Sequence, residues 1–182
     1  SLGGNKISSA GLHVLKALPK LKNLNLSGAQ KRNSGTWVVS LTDVDMAALG
    51  ELKRLEGLNL GGLRITDVNL ARLKGLTLLL DLDLSRTQVT SGGLSTLASF
   101  PDLQRLSLWN TKRVDDSAIP SLLKLTKLVR LDLAETGVTD HGLEQLSTLR
   151  SLRHLYLTGS GVTSAGVEAF GRANPECQVS YK

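Results

Sequence analysis

Leucine recurs along this chain on a fixed beat. In LVRLDLAETGVTDHGLEQLSTLRS, residues 128–151, Leu131 and Leu133 stand two apart, the period of a strand with one buried face. Arg130 and Asp132 then face outward. After a turn, VTD reads as a helix start, because Thr139 or Asp140 can accept a hydrogen bond from the first unpaired backbone amides. Leu143, Leu146 and Leu149 follow at three-residue spacing, the inner face of a helix or of a tighter helical turn.

The same frame starts at Leu21, Leu55, Leu79, Leu103, Leu128 and Leu152, so successive starts differ by 34, 24, 24, 25 and 24 residues. A partial unit, residues 1–20, precedes them with Ile7, Leu12, Leu15 and Leu18. One unit cannot cover its own leucines. Stacking covers them, which makes stability a sum of nearest-neighbour interfaces. The pattern predicts one α/β domain over residues 1–182, with parallel strands lining a concave face and helices or helical turns on the convex side.

The LxxLxL strands and the form LDLAETGVTDHGLEQL resemble the leucine-rich repeat family over the whole chain. Within it they look most like the ribonuclease-inhibitor and cysteine-containing type of F-box receptor proteins and bacterial repeat proteins. The resemblance implies a right-handed β-α superhelix and a non-enzymatic role in binding a protein or peptide. It also leaves room for a substrate-recognition part of a larger enzyme, such as a ubiquitin-ligase receptor or bacterial effector. The chain departs from the cysteine-containing pattern by placing Thr87, Thr111, Thr136 and Ser160 where that type has Cys or Asn, and it contains no F-box segment. These hydroxyls face the loop interior and are expected to satisfy backbone amides without ladder partners. Towards the amino end the equivalents are Asn5, Ala29 and Leu63, so two consecutive frames lose the polar rung. Gly61-Gly62 and Gly92-Gly93 read as turn residues.

One frame is interrupted. The spacing from the last strand leucine to the next apolar residue is five in regular frames and fifteen from Leu26 to Leu41, so an insertion occupies about 31–40. Its tip KRNSG is polar and turn-forming, and its return TWVVS is apolar. Trp37 or Val38 either folds over Ala29 and Leu63 or stands out as a recognition finger. The only other tryptophan, Trp109, follows its strand directly, where other frames carry Ser27, Gly61, Ser85, Ala134 and Thr158. Two aromatics on one rim, with Arg86 in the same region, make a candidate anchor.

Outward strand positions form two rows: Asn23, Gly57, Asp81, Arg105, Arg130, His154, Gln178, and beside them Asn25, Asn59, Asp83, Ser107, Asp132, Tyr156, Ser180. With frames about 5 Å apart, Asp81 and Asp83 can meet Arg105, and Arg130 can meet Asp132. Arg105, Arg130, Arg153 and His154 form a basic stripe suited to an acidic segment. The competing interpretation is that these charges only solvate the sheet. Asp81 with Asp83, or His154 with Asp132, would need a pocket and supporting shell to act as an acid/base or metal site. An open sheet is not expected to supply either, so no catalytic residue, cofactor or metal is assigned.

Composition narrows the partners. Hydrophobic content of 41% supports a sizeable core, while 3% aromatics are too few for base-stacking platforms. The formal charge of +6, from 22 basic and 16 acidic residues, raises polyanion or nucleic-acid binding as an alternative. Against it, Lys16, Lys20, Lys53, Arg54, Lys74, Lys124, Lys127 and Arg150 all fall where helices should end and complement their dipoles. The single cysteine, Cys177, excludes an internal disulfide. No apolar run approaches a membrane span and no signal-peptide pattern occurs, which points to an intracellular, cytoplasmic protein. The first unit lacks a polar cap, so upstream repeats or another subunit are expected to cover it. At the other end, Asn174-Pro175 stops the last helix and residues 176–182 form a closing strand, with Val179 inward and Tyr181 as a plug.

Overall fold

In the computed structural model, residues 2, 9–28 and 41–182 are described. The insertion, with Trp37 and Val38, and the residues Asn5, Ile7 and Ala29 lie outside them.

Each of the six LxxLxL segments contributes one three-residue strand, β1 (Asn23–Asn25), β2 (Gly57–Asn59), β3 (Asp81–Asp83), β4 (Arg105–Ser107), β5 (Arg130–Asp132) and β6 (His154–Tyr156), and the closing segment adds β7 (Gln178–Ser180). They pair in chain order as a seven-stranded parallel sheet. The register never slips, so Leu24, Leu58, Leu82, Leu106, Leu131, Leu155 and Val179 stand in one column. The six leucines are buried, and Val179, at the end of the column, is half-buried. A single apolar cluster runs from Leu12 to Cys177. The fold is the leucine-rich repeat solenoid, with a sheet on one side and helices on the other.

The convex side varies more. It carries α1 (Ser9–Val14), α2 (Asp43–Leu49), α3 (Asp67–Ala71), a 3-10 segment at Gly93–Ser99, α4 (Ile119–Leu122), α5 (Asp140–Leu146) and α6 (Ser164–Ala173). The threonines before these helices cap them as their sequence suggests. Thr42 exchanges bonds with Asp45, Thr139 accepts from the His141 amide and Thr163 from the Gly166 amide. Basic residues at helix ends also find carbonyls: Lys53 donates to Gly50 and Arg54 to Pro19, at 2.6 and 2.9 Å.

Two expectations are corrected. The hydroxyl rungs chiefly donate to carbonyls: Thr87 and Thr111 both reach the Leu84 oxygen, at 2.7 and 3.1 Å, Thr136 that of Leu133 at 2.6 Å, and Ser160 that of Leu157 at 2.7 Å, and only Ser160 also accepts from an amide as expected, that of Val162 at 3.4 Å. These carbonyls follow the strand, outside its ladder, and short hydroxyls supply a donor there, alone at Leu84 and beside the rung's own amide at Leu133 and Leu157. Gly62 does take a left-handed turn at φ +78°. Gly92 stands in the turn before the 3-10 segment with right-handed dihedrals, whereas Gly93 is the segment's first residue and so is not a turn residue.

Gly93 is there for space. A Cβ on it would lie 2.0 Å from Oδ1 of Asp67, and equivalent Cβ atoms on Gly142 and Gly166 would lie 2.3 and 2.0 Å from Oδ1 of Asp116 and Asp140. Each aspartate, at the start of one helical segment, braces the next repeat. Asp67 accepts from the Thr90 amide and hydroxyl at 2.8 and 2.7 Å, Asp116 from those of Thr139 at 2.8 and 2.5 Å, and Asp140 from those of Thr163 at 2.8 and 2.6 Å. The Thr163 hydroxyl, followed by its amide, holds the Asp140 carboxyl below its ordinary range. Thus a threonine with a glycine three residues on, as in TSGG, TDHG and TSAG, receives the preceding repeat's carboxylate, and the glycine makes room for it.

Gly142→Ala is therefore expected to cost about 1–2 kcal/mol in urea unfolding, because displacing Asp116 loses two hydrogen bonds and outweighs the helix-propensity gain of alanine. In an Asp116→Ala background the same substitution should become neutral or stabilising. Equal costs in both backgrounds would show that the brace is not what the glycine serves.

Candidate functional site

The strict register places every outward residue. Along the concave face the first row is Asn23, Gly57, Asp81, Arg105, Arg130, His154 and Gln178, and the second is Asn25, Asn59, Asp83, Ser107, Asp132, Tyr156 and Ser180. Between them lies a groove of about 580 Å³ over β1–β5. The groove reaches from β1 to β5 and so takes in Arg105 and Arg130 of the basic stripe but not Arg153 or His154. On its floor Gly57 makes room for the Asn23 side chain, since a Cβ there would lie 2.3 Å from Oδ1 of Asn23.

The second row has a structural task that the sequence pattern did not reveal. Oδ1 of Asn25 accepts from the Ser27 amide and hydroxyl, at 2.9 and 2.7 Å, and Oδ1 of Asn59 from the Gly61 amide at 2.9 Å. Asp83 does the same for Ser85 at 2.9 Å and Asp132 for Ala134 at 3.0 Å. Each side chain turns back to its own backbone two residues on and closes the strand exit. A signal was available: Asn or Asp, then Leu, then a small residue recurs in NLS, NLG, DLS and DLA. One oxygen of Asp83 and one of Asp132 are committed to this role, and the rest of each side chain faces the groove.

Charges along the first row pair only partly as expected. Nε of Arg105 meets Oδ2 of Asp81 at 2.8 Å, with both side chains about half exposed, so the pair contributes little stability. Arg130 forms no ion pair with Asp132 among the described residues. Its guanidinium instead lies 4.6 Å from the centre of the Tyr156 ring on the adjacent strand, a cation-π contact. Burial pushes the Asp132 carboxyl above its ordinary value and Asp83 adds to this, while the Ala134 amide and Arg130 act in the opposite direction. Arg153 leaves the stripe, because it pairs with Glu176 at 3.0 Å and donates to the carbonyls of Arg150 and Leu152. No hydrogen bond joins His154 to Asp132 among the described residues, and His141 contacts Gln145 at 2.9 Å.

At the strand-exit rim, Trp109 is 38% exposed and the Arg86 guanidinium lies 5.9 Å from its ring centre. Among the described residues no cluster of three His, Cys, Asp or Glu could hold a metal ion, and no helix is long and apolar enough to cross a membrane. Burial pushes the Cys177 thiol up to about 11, against a smaller opposing effect of Arg153, so it is protonated at neutral pH.

A family profile described as Leucine Rich repeat matches residues 75–98, 124–147 and 148–171. No curated protein matches the chain in sequence. Among solved structures, an internalin C2 of Listeria monocytogenes superposes with a TM-score of 0.73 at 22% identity, over 98% of this chain and 68% of that one. An internalin, inlF, of the same organism superposes with a TM-score of 0.63 at 21% identity, over 98% of this chain and 52% of that one. The chain therefore spans about two thirds of the first and about half of the second. At these identities the likeness is one of fold.

Proposed function

Because this chain is a leucine-rich repeat solenoid, a fold that generally serves as a protein-binding scaffold, we propose that it captures a protein or peptide through its concave groove and strand-exit rim. The observation that carries this reading is the groove of about 580 Å³, floored by the outward residues of β1–β5 and bordered by the rim on which Trp109 stands. Its floor mixes donors and acceptors: the Asn23 side chain, the Asp81–Arg105 pair, Ser107 and Arg130. Such a surface complements a polar segment, and an exposed tryptophan beside arginine supplies the anchor that interfaces favour.

What supports a binding role over a catalytic one is the commitment of the polar side chains. Asp83 and Asp132 hold backbone amides, Asp81 holds Arg105, and Arg130 is stacked on Tyr156. A reacting group would need an acid and a base free to exchange protons at one point.

Peptides selected from a random display library against the immobilised chain test the reading. Trp109→Ala and Arg130→Glu are each expected to weaken a selected peptide about tenfold, with the melting temperature unchanged because both side chains are exposed. If selected peptides bind both variants as tightly as the parent, the groove and rim are not the site.

A further inference from the structure

The groove and the rim differ in charge. On the groove floor the carboxylates of Asp81, Asp83 and Asp132 face Arg105 and Arg130, three acids against two bases. The rim is the reverse. Arg64, Arg86 and Arg113 are exposed, and none takes part in an ion pair among the described residues. The nearby carboxylates are occupied: Glu135 pairs with Lys112 at 3.1 Å, and Asp67 holds Thr90. Three guanidiniums in the strand-exit loops of consecutive repeats therefore lack an anion among the described residues, and one of them, Arg86, lies 5.9 Å from the Trp109 ring centre.

The backbone of the same rim carries a second anomaly. The turns after β2 to β6 are left-handed, and two of these five use glycine, Gly62 at φ +78° and Gly159 at φ +70°. The three between them carry side chains instead: Arg86 at +56°, Asn110 at +54° and Glu135 at +55°. A side chain there costs about 1–2 kcal/mol, which glycine avoids. Ladder bonds from Arg86 to the Trp109 carbonyl and from Asn110 to that of Ala134, both 2.8 Å, hold these turns one strand spacing apart. Strain retained on consecutive turns, beside an exposed tryptophan, is the pattern of a surface kept for contact.

We propose that the strand-exit rim formed by Arg64, Arg86, Trp109 and Arg113 is a docking strip for an acidic peptide segment with one aromatic or apolar side chain seated on Trp109. This rests on the scaffold reading and moves the acidic partner from the sheet floor, where carboxylates would repel it, to the rim. An extended segment presents side chains of one face about every 7 Å, a spacing that flexible arginine arms on coils about 5 Å apart can follow with bidentate carboxylate contacts. The Arg86 guanidinium, 5.9 Å from the Trp109 ring centre, is positioned both to donate to a carboxylate and to wall the aromatic seat.

The test uses a fluorescein-labelled twelve-residue peptide of alternating Glu and Ser with a central Phe, titrated by anisotropy at physiological salt. Saturable binding is expected. It should fall about tenfold or more in the triple variant Arg64→Glu, Arg86→Glu, Arg113→Glu and about tenfold in Trp109→Ala. The charge-matched triple Lys20→Glu, Lys74→Glu, Lys124→Glu, at exposed helix ends, should bind as the parent does. Equal losses in the two triples would reduce the effect to net charge and overturn the strip, as would absence of saturable binding. So would tighter, rim-dependent binding of a twelve-nucleotide single-stranded DNA, which would make the rim a general polyanion surface. Any of these failures, with library-selected peptides still binding the parent, would remove the acidic strip and leave the scaffold reading standing.

Discussion

Leu106→Ala is expected to lower the free energy of unfolding by about 2–5 kcal/mol. Leu106 is 1% exposed and stands between Leu82 and Leu131, its partners on the two flanking strands. Truncation leaves a void that both neighbouring coils line, and coils held by short strands in fixed register have little freedom to close it. Val179 offers the contrast: it is half-buried and has one column neighbour, Leu155, so Val179→Ala should cost about 1 kcal/mol. Urea unfolding measures both losses, and native-state hydrogen exchange should show the Leu106 deficit spreading to the amides of β3 and β5. Equal costs at the two positions would contradict a stability built from nearest-neighbour interfaces.

Phe100→Ala is the second large loss, about 3–5 kcal/mol. Phe100 is fully buried at the end of the 3-10 segment Gly93–Ser99, at the place that Leu76, Leu125 and Leu149 take in other repeats. Phe100→Leu should cost less than about 1.5 kcal/mol, because neighbouring coils show that leucine fits this wall and only a modest volume is lost. A thermal melt separates the two. Should the leucine variant fall as far as the alanine one, the 3-10 turn would require the phenyl ring and the repeats would not be interchangeable at this point.

Asparagine and aspartate before the strand exits show how far pattern reading reached. Asn25, Asn59, Asp83 and Asp132 were recognisable as outward-facing from period two alone, and their register followed from the frame. That each oxygen turns back onto its own chain depends on the path of the exit turn, which hydropathy does not encode. The arginines divide the same way. Arg105 meets Asp81 as adjacency on the sheet suggests, whereas Arg130 chooses between Asp132 and Tyr156, and the ring on the next strand wins. A long side chain has several partners within reach, and sequence spacing cannot rank them.

By itself the sequence determined the coil: alternating leucines for the strand, threonine caps for the helices, and a 24-residue beat that stacks the leucines in one column. These are local periodicities, and any chain carrying them must bury the same face. Only the tertiary structure decided what passes between coils. Asp116 reaches into the next repeat over Gly142, the Thr111 hydroxyl donates to the Leu84 carbonyl of the repeat before, and left-handed turns line up Arg86 and Asn110 beside Trp109. Those contacts join residues some 23 to 27 positions apart, and their geometry exists only after one coil has settled on another.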